Sequence, residues 1–367
     1  MLIVDAHQDL AWNIQNFGRN YTYSAAYTRQ QESGTNIPLL NDDTLLGWPE
    51  YNRGEIAVIF ATLFATPMRF CTGPRDKLCY LDENQARIFY QSQIETYTNL
   101  FEKNPDKFQC IRTRSDLEQI IKTWQSTSQN DKTPNGRTVG LLILMEGADA
   151  VRDPSELESW WLRGVRMIGP AWASTRYCGG TREPGKLTKA GFTLLEFMAE
   201  LHFGLDISHM DEVAALQALE VYPGLVVASH SNAGALLKDN ASNRHLSDRT
   251  IQEIIMRDGM VGIVPFNAFL TSGWRRGDRR EEANIFLVID QIDYICQIAG
   301  DALHVGLGTD FDGGFGLQSV PPEFETIADL QKLVPLLEAR GYTTNETTNV
   351  MGGNWIKRLE RLLAESS

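Results

Sequence analysis

Eight short apolar runs recur along the chain, separated by longer stretches with helical periodicity. The runs are mostly continuous rather than alternating, which is typical of strands buried on both faces of a parallel sheet. The predicted strands are Leu2–Asp5, Ile56–Phe64, Val139–Met145, Val165–Pro170, Phe203–Ile207, Leu225–Ala228, Val261–Pro265 and Val305–Gly308.

The intervening stretches carry helix-end signals. Ser155 to Glu158 forms a capping-box pattern for a short helix that ends before Gly164, and Thr188 caps a helix through His202 with Gly204 just beyond its end. The other predicted helices are Asp82–Glu102, Asp211–Glu220, Ser247–Arg257, Ala283–Ala299, Ile327–Arg340 and a closing amphipathic helix over Thr347–Glu365. Strands that alternate with helices in this way predict an α/β fold, a (β/α)8 TIM-like barrel.

Two stretches interrupt this alternation. Tyr21–Arg53 has mixed polarity, and Gly73–Leu81 is a predicted loop before the first long helix. Insertions over the mouth of a barrel are often lids or substrate walls, although either could equally be a surface insertion without a function. We expect a single domain over residues 1–367.

Composition excludes several classes of protein. The net charge of -13 argues against a nucleic-acid partner, and no apolar stretch is long enough for a transmembrane helix. The chain starts directly with a strand rather than a signal peptide, so we expect a cytoplasmic protein. The five cysteines form no CxxC pair and are expected to be thiols in a reducing compartment, with Cys71–Cys79 a conceivable disulfide.

Residues of metal-binding types follow five of the predicted strands, at the ends that converge in such a barrel. They are His7 and Asp9 after the first strand, Glu146 after the third, His209 after the fifth, His230 after the sixth and Asp310 after the eighth. Each alone has a structural explanation, as a solvated acid, a core histidine or a turn cap. Together they predict a metal site, because histidine and carboxylate ligands without thiolates suit zinc or a similar divalent ion. The remaining histidines, His202, His245 and His304, are interpreted as structural or surface residues.

Two ions fit this ligand count better than one. His7 and Asp9 point the same way because strand side chains alternate with period two, and we expect them to hold the first ion. His209 and His230 would hold the second, and Glu146 would bridge the two. Such a pair of ions can share a hydroxide of lowered pKa and polarise the carbonyl that it attacks.

Asp310 is then not needed as a ligand. It can accept the proton of the bridging water and pass that proton to a leaving amine. The predicted chemistry is therefore hydrolysis.

The chain resembles the membrane (renal) dipeptidase family, metallopeptidases with an amidohydrolase-like barrel, in its bacterial soluble form. The resemblance spans nearly the whole chain, and its motifs occur in family order. They are Asp5 to Leu10, Met145 to Gly147, Gly164 to Arg166, Asp206 to His209, Ser229 to Ala233, Arg244 to Asp248, Gly308 to Gly313 and Gly352 to Asn354.

The resemblance implies a binuclear zinc dipeptidase that acts through a hydroxide bridging two zinc ions. It assigns the ligands and the acid/base aspartate as above, and it makes Arg244 the arginine that binds the C-terminal carboxylate of the dipeptide. Without the resemblance Arg244 would be one loop arginine among many. The membrane attachment of the mammalian proteins is not carried over, since no lipid-anchor signal follows Leu363.

Strand four departs from the family pattern. Trp172 stands where family members commonly carry a histidine that contacts the substrate. An indole can donate one hydrogen bond but cannot accept one or take up a proton. Either the metals alone stabilise the transition state, or Arg176 or Tyr177 replaces the histidine; all three residues are expected in the substrate pocket.

The leading hypothesis is a zinc dipeptidase, with a homodimer left open. One alternative keeps the metal hydrolase but changes the substrate to another amide, a lactone or a related small molecule. Another is a non-enzymatic metal- or peptide-binding protein, which would have no need of Asp310.

Overall fold

A closed ring of eight parallel strands forms the centre of the computed structural model, which describes residues 1–73, 76–125, 137–238 and 242–364. The strands are β1 (Ile3–Gln8), β2 (Ile56–Leu63), β3 (Thr66–Pro67), β4 (Cys79–Tyr80), β5 (Phe108–Cys110), β6 (Val139–Glu146), β7 (Val165–Gly169), β8 (Gly204–Asp206), β9 (Val226–Ala228), β10 (Met260–Ile263) and β11 (Val305–Leu307). The ring runs β1, β2, β6, β7, β8, β9, β10, β11 and back to β1. All eight predicted strands are therefore confirmed as the barrel, and their side chains are buried.

Three short strands were not predicted. β5 pairs with the start of β6, at the bottom of the barrel, and β3 pairs with β4 outside the ring. These strands are only two or three residues long, and their pairing depends on distant partners rather than on a local apolar run.

Helices surround the ring, and at least one overlaps each predicted helical stretch, although the first part of Ile327–Arg340 is a 3₁₀ helix over Ile327–Lys332. They are α1 (Leu10–Phe17), α2 (Ala25–Glu32), α3 (Ile37–Asn41), α4 (Trp48–Arg53), α5 (Glu83–Lys103), α6 (Arg114–Gln125), α7 (Leu157–Leu162), α8 (Lys189–Glu200), α9 (Glu212–Val221), α10 (Asp248–Met256), α11 (Asn267–Leu270), α12 (Ile285–Ala299), α13 (Leu333–Arg340), α14 (Thr344–Thr348) and α15 (Asn354–Ala364). Within the described parts of the chain, no helix combines the length and apolar content that crossing a bilayer requires.

Two predicted helix ends are wrong in detail. The turn before α7 is capped by Asp153, whose carboxylate accepts from the Ser155 N–H, rather than by Ser155. After α8 the left-handed residue is His202, at φ 58°, whereas Gly204 already belongs to β8.

The predicted closing helix over Thr347–Glu365 is also interrupted, and its last residue lies outside the described residues. A π-helical turn over Asn349–Gly353 separates α14 from α15. At this turn the backbone approaches β1 so closely that a Cβ on Gly352 would lie 2.9 Å from the Leu2 carbonyl oxygen. The widened turn seals the bottom of the barrel, opposite the candidate site.

The stretch Tyr21–Arg53 is not irregular, because α2, α3 and α4 lie within it. It is fastened to the loop after β11 by Asp312, whose side chain is fully buried. The Asp312 carboxylate pairs with Arg19 at 3.0 Å and accepts from the Tyr21 hydroxyl at 3.0 Å. It also accepts from the Leu45 N–H at 2.9 Å. The start of the insertion and the segment before α4 are therefore held by the same buried carboxylate.

Two of the five cysteines form the disulfide that the sequence left open, and the other three are free thiols as expected. Cys71 and Cys79 form a disulfide, with their Cα atoms 5.8 Å apart, while Cys110, Cys178 and Cys296 are free. The disulfide closes the predicted loop Gly73–Leu81, of which residues 74 and 75 lie outside the described residues. Disulfides are typical of oxidising compartments, so this bond speaks against thiols kept reduced.

We expect Asp312→Ala to lower the free energy of unfolding by about 3–5 kcal/mol. The buried Arg19 guanidinium would keep only Glu32 of its two carboxylate partners. The buried Tyr21 hydroxyl and the Leu45 N–H would lose their acceptor. Urea denaturation would measure the change.

Asp106→Ala, at an exposed ion pair with Lys107, is the control and should change stability by less than about 0.5 kcal/mol. A loss below about 1 kcal/mol for Asp312→Ala would show that the insertion is held in another way.

Candidate metal centre

The carboxylate of Glu146 lies between three imidazoles at the C-terminal end of the barrel. One oxygen, Oε1, is 2.9 Å from His209 Nε2 and 3.5 Å from His230 Nε2. The other, Oε2, is 3.6 Å from His7 Nε2. Each carboxylate oxygen therefore faces a different histidine set.

Two carboxylates, Asp9 after β1 and Asp310 after β11, lie on the His7 side of the cluster. Asp9 Oδ1 and Asp310 Oδ1 are each 3.9 Å from His7 Nε2. The Thr62 hydroxyl, on the neighbouring strand β2, donates to Asp9 and orients it. His7 lies inside β1 rather than after it, so the period-two alternation of the strand aims the imidazole at the barrel axis.

Hydrogen bonds from the other ring nitrogens define which atoms of His209 and His230 are free. Ser229 Oγ donates to Asp206 Oδ2 at 2.5 Å, so it accepts from His230 Nδ1 at 2.9 Å. Thr181 Oγ1 lies 2.9 Å from His209 Nδ1 and can accept from it, since the Thr181 hydroxyl can donate to the His209 carbonyl oxygen at 3.5 Å. With both Nδ1 atoms protonated, the Nε2 lone pairs of the two rings point into the site.

This donor set fits divalent cations. The Nε2 atoms of His209 and His230 lie only 2.9 Å apart. When the protons of both rings are on Nδ1, the two Nε2 lone pairs repel at that distance, and a cation between them and the carboxylate relieves the repulsion. His7 Nε2 is buried without a hydrogen-bond partner among the described residues. Imidazole nitrogens and carboxylate oxygens without thiolates suit zinc.

The charges of the cluster also favour metal ligation. Burial raises the pKa of the Glu146 carboxyl, but the imidazoles of His7 and His209 outweigh burial and hold that pKa well below its usual range. Burial, together with Arg244, lowers the pKa of His209 to about 4, so its imidazole is neutral at pH 7. Burial alone would lower the pKa of His7, yet the carboxylates of Glu146 and Asp9 raise it to about 10. Without a cation, a proton on His7 thus balances the acidic groups.

Asp310 is held in a strained turn directly after β11. Its φ is 56°, and its N–H donates to the His7 carbonyl oxygen at 3.2 Å. A Cβ on Gly313 would lie 1.9 Å from Asp310 Oδ1, so only glycine leaves room for this carboxyl. Burial raises the pKa of Asp310 well above its usual value, although the His7 imidazole opposes the shift.

Arg244 is buried beside the centre and is not a surface charge. Its guanidinium donates to the carbonyl oxygens of Ser208 at 3.0 Å and His230 at 2.7 Å, and to Ser231 Oγ at 2.9 Å. These bonds use three of its five N–H donors, so the described residues leave two for a ligand. Arg244, Glu146 and Asp310 all border one cavity of about 500 Å³.

Of the three residues expected in the pocket after β7, only Trp172 lies there. Trp172 borders the cavity and packs against Phe64, with ring centroids 5.2 Å apart. The Tyr177 hydroxyl instead donates to the Val151 carbonyl oxygen, and its ring is buried away from the cavity. Arg176 donates to the Arg152 carbonyl oxygen on the surface. Neither residue lines the pocket, so neither can substitute for the substrate-contacting histidine that the family resemblance led us to expect at Trp172.

Several functional contacts had no signal in the sequence. Thr181, Ser229 and Asp206 orient the histidines, and Arg182 lies on the cavity rim. Asp206 and Ser229 lie in the motifs that carry the family resemblance, but serine and threonine hydroxyls are too common for their partners to be read from sequence. Of the histidines outside the centre, His304 has a structural contact, since its Nδ1 is 3.0 Å from the Gly259 carbonyl oxygen.

Comparison with known proteins places these observations in a family. The sequence model of the membrane dipeptidase family, peptidase family M19, matches residues 1–365. An uncharacterised protein from the 5′ region of pqqA in Klebsiella pneumoniae is 30% identical over 247 residues, which are 65% of this chain and 87% of that protein. Dipeptidase aclJ of Aspergillus oryzae is 23% identical and aligns over 97% of this chain and 77% of its own length.

Solved structures share the fold. A metallopeptidase from Rhodobacter sphaeroides, liganded with a phosphinate mimic of the dipeptide L-Ala-D-Ala, has a TM-score of 0.76 at 23% identity over 99% of both chains. The probable dipeptidase PvdM from Pseudomonas aeruginosa has a TM-score of 0.75 at 18% identity over 99% of this chain and 96% of its own. At these identities the likeness shows the barrel fold alone.

We expect Ser229→Ala to weaken zinc binding about 10- to 100-fold, because His230 loses the acceptor that sets its tautomer. Competition with a chelator of known affinity would measure the change. Ser33→Ala, at an exposed helix end, is the matched control and should bind zinc like the wild type. Equal zinc affinity for Ser229→Ala would mean that Asp206 and Ser229 do not orient His230.

Proposed function

We propose a two-metal dipeptidase mechanism for this chain, which belongs to the membrane dipeptidase family of metallopeptidases, peptidase family M19. The observation that carries the proposal is the Glu146 carboxylate, whose two oxygens face His7 on one side and the pair His209 and His230 on the other. A carboxylate in that position suits a bridge between two cations.

Five side chains would hold the ions, which we propose to be zinc. His7 and Asp9 would bind one, His209 and His230 the other, and Glu146 both. Once bound, two such ions supply an activated water and polarise the scissile carbonyl. The chain itself supplies the ligand geometry, a proton carrier and a group that orients the substrate.

Asp310 is the proposed proton carrier. Its carboxyl oxygen lies 3.9 Å from His7 Nε2, so it can reach a water between the ligands, take its proton and release that proton to the leaving amine. Its raised pKa favours proton uptake, and the positive charge of bound cations would lower that pKa. The left-handed turn at Asp310 keeps the carboxyl from swinging away.

Arg244 is the proposed anchor for the C-terminal carboxylate. Two of its N–H groups are not used by the described residues, and a guanidinium can bind a carboxylate with two parallel hydrogen bonds. A carboxylate bound there fixes the distance from the free C-terminus to the scissile bond. The cavity would therefore select dipeptides by length.

A hydrolase of another small amide, lactone or related molecule is the alternative. Trp172, in the position of the histidine common in the family, is the observation that favours it. Arg244 distinguishes the two, because only a substrate with a free carboxylate needs the guanidinium.

We expect the zinc-loaded protein to hydrolyse simple dipeptides, and a chelator to abolish the activity. Asp310→Asn should lower kcat about 10²- to 10⁴-fold, because the amide cannot carry a proton. A ninhydrin or coupled amino-acid assay would follow turnover, with zinc content measured on the same sample as the control. Absence of turnover across a broad dipeptide panel by the zinc-loaded wild type would refute the proposal.

We also expect the wild type to prefer L-alanyl-L-alanine over its C-terminal amide by about 10- to 100-fold in kcat/KM, the usual worth of a hydrogen bond between charged groups. Arg244→Ala should lose this preference. Arg279→Ala, at an exposed arginine near the mouth, should keep it. If Arg244→Ala retains both activity and preference, the carboxylate is not bound at this position and the alternative substrate class gains support.

A further inference from the structure

We propose that the cavity carries two separate aromatic walls, each of which receives one side chain of a dipeptide built from large apolar or aromatic residues. The inference rests on the proposed dipeptidase function and adds the substrate class. The walls lie on opposite arcs of the barrel mouth, one at strands β2 and β7 and the other at β10 and β11.

The first wall consists of Phe64, Phe70 and Trp172, which all border the cavity. The ring centroid of Trp172 is 5.2 Å from that of Phe64 and 5.9 Å from that of Phe70. It is also 6.1 Å from the ring of His209, so the indole reaches the edge of the metal centre. A histidine at this position would be shorter and polar, whereas tryptophan turns the position into an apolar surface.

The first wall is held in place by contacts behind it. Arg69, next to Phe70, donates to both carboxylate oxygens of Glu183, at 2.8 and 2.7 Å. The same carboxylate accepts from the Ser174 N–H at 3.0 Å, two residues after Trp172. The disulfide from Cys71 closes the loop on the other side of Phe70. The rings are therefore positioned before a ligand binds, which limits the entropy lost on binding.

The second wall consists of Phe266, Phe269 and Phe315. Phe266 and Phe315 are stacked, with centroids 4.2 Å apart and an interplanar angle of 16°, and Phe269 is 5.0 Å from Phe266. The guanidinium of Arg244 lies 5.1 Å from the Phe269 ring centroid. The proposed carboxylate anchor thus belongs to the second wall.

This placement assigns each wall to one residue of the substrate. The C-terminal carboxylate and the leaving amine belong to the same residue, so Arg244 and Asp310 together hold the C-terminal residue beside the second wall. The scissile carbonyl lies over Glu146, and the N-terminal residue continues towards the opposite arc. Its side chain then meets Trp172, Phe64 and Phe70.

The experiment compares kcat/KM of the zinc-loaded protein for Ala-Ala, Phe-Ala, Ala-Phe and Glu-Ala. We expect Phe-Ala and Ala-Phe each to exceed Ala-Ala by about tenfold or more, because each phenyl ring is buried against a wall. Glu-Ala should be poorer than Phe-Ala, because a carboxylate gains nothing from the three rings of the first wall. An ion pair with the exposed Arg182 at the rim is worth less than the burial of a phenyl ring. Equal values for all four substrates, or a preference for Glu-Ala, would overturn the proposal.

Two variants test the assignment and serve as controls for each other. Trp172→Ala should reduce the ratio of Phe-Ala to Ala-Ala about tenfold and leave the ratio of Ala-Phe to Ala-Ala unchanged. Phe315→Ala should do the reverse. Each ratio is taken on one protein sample, so a partly misfolded variant does not distort it. The assignment would be refuted if each variant changed the other ratio, or if neither variant changed a ratio.

Failure of the walls can be distinguished from failure of the proposed function. Phosphinic analogues of the four dipeptides, titrated calorimetrically into the zinc-loaded protein, report binding without turnover. Analogue selectivity that follows the walls, without hydrolysis of any dipeptide, would support the walls and refute the dipeptidase. Hydrolysis with no selectivity among substrates or analogues would refute the walls and retain the dipeptidase.

Discussion

A buried carboxylate shared among three imidazoles is the interaction on which the site depends. Glu146 ends β6, and its two oxygens face histidines contributed by β1 and by the loops after β8 and β9. Placing a carboxylate in this interior is costly unless opposite charge or hydrogen-bond donors surround it. The barrel brings the imidazoles from distant strand ends to Glu146, where they offset part of the cost of burying its charge. Bound cations would neutralise the remaining negative charge of the cluster.

Further buried carboxylates hold this point in place. Asp5 on β1 accepts from the Thr309 N–H and hydroxyl, both at 2.6 Å, and so fixes the turn that presents Asp310. Asp206 accepts from the N–H groups of Ser208 and Ser229, both at 3.0 Å, and fixes the loops that carry the two histidines. Asp5 thus links β1 to the turn after β11, and Asp206 links β8 to the loop after β9. The candidate metal ligands are therefore oriented by these acids before any ion is bound.

The surroundings of the centre differ in character from the centre itself. Its floor is polar and charged, whereas Trp172 and five phenylalanines line the sides of the cavity. Such a contrast suits a small substrate with a charged terminus and apolar side chains, because the floor aligns the backbone while the sides contact the side chains. Trp172 therefore belongs to the apolar sides of the cavity rather than to its charged floor.

The barrel, the family and the candidate ligands could all be predicted from the order of residues along the chain. Continuous apolar runs mark buried parallel strands, and a histidine or acid at the end of such a run has one destination, the barrel mouth. The directions of the loop side chains, by contrast, could not be predicted, because they depend on contacts that form only in the folded chain. Tyr177 and Arg176 turn away to Val151 and Arg152, Cys71 pairs with Cys79, and helices α2 to α4 form an insertion held by Asp312. A strand side chain takes its direction from local backbone alternation, whereas a loop side chain takes it from partners far away in sequence, such as Glu183 for Arg69.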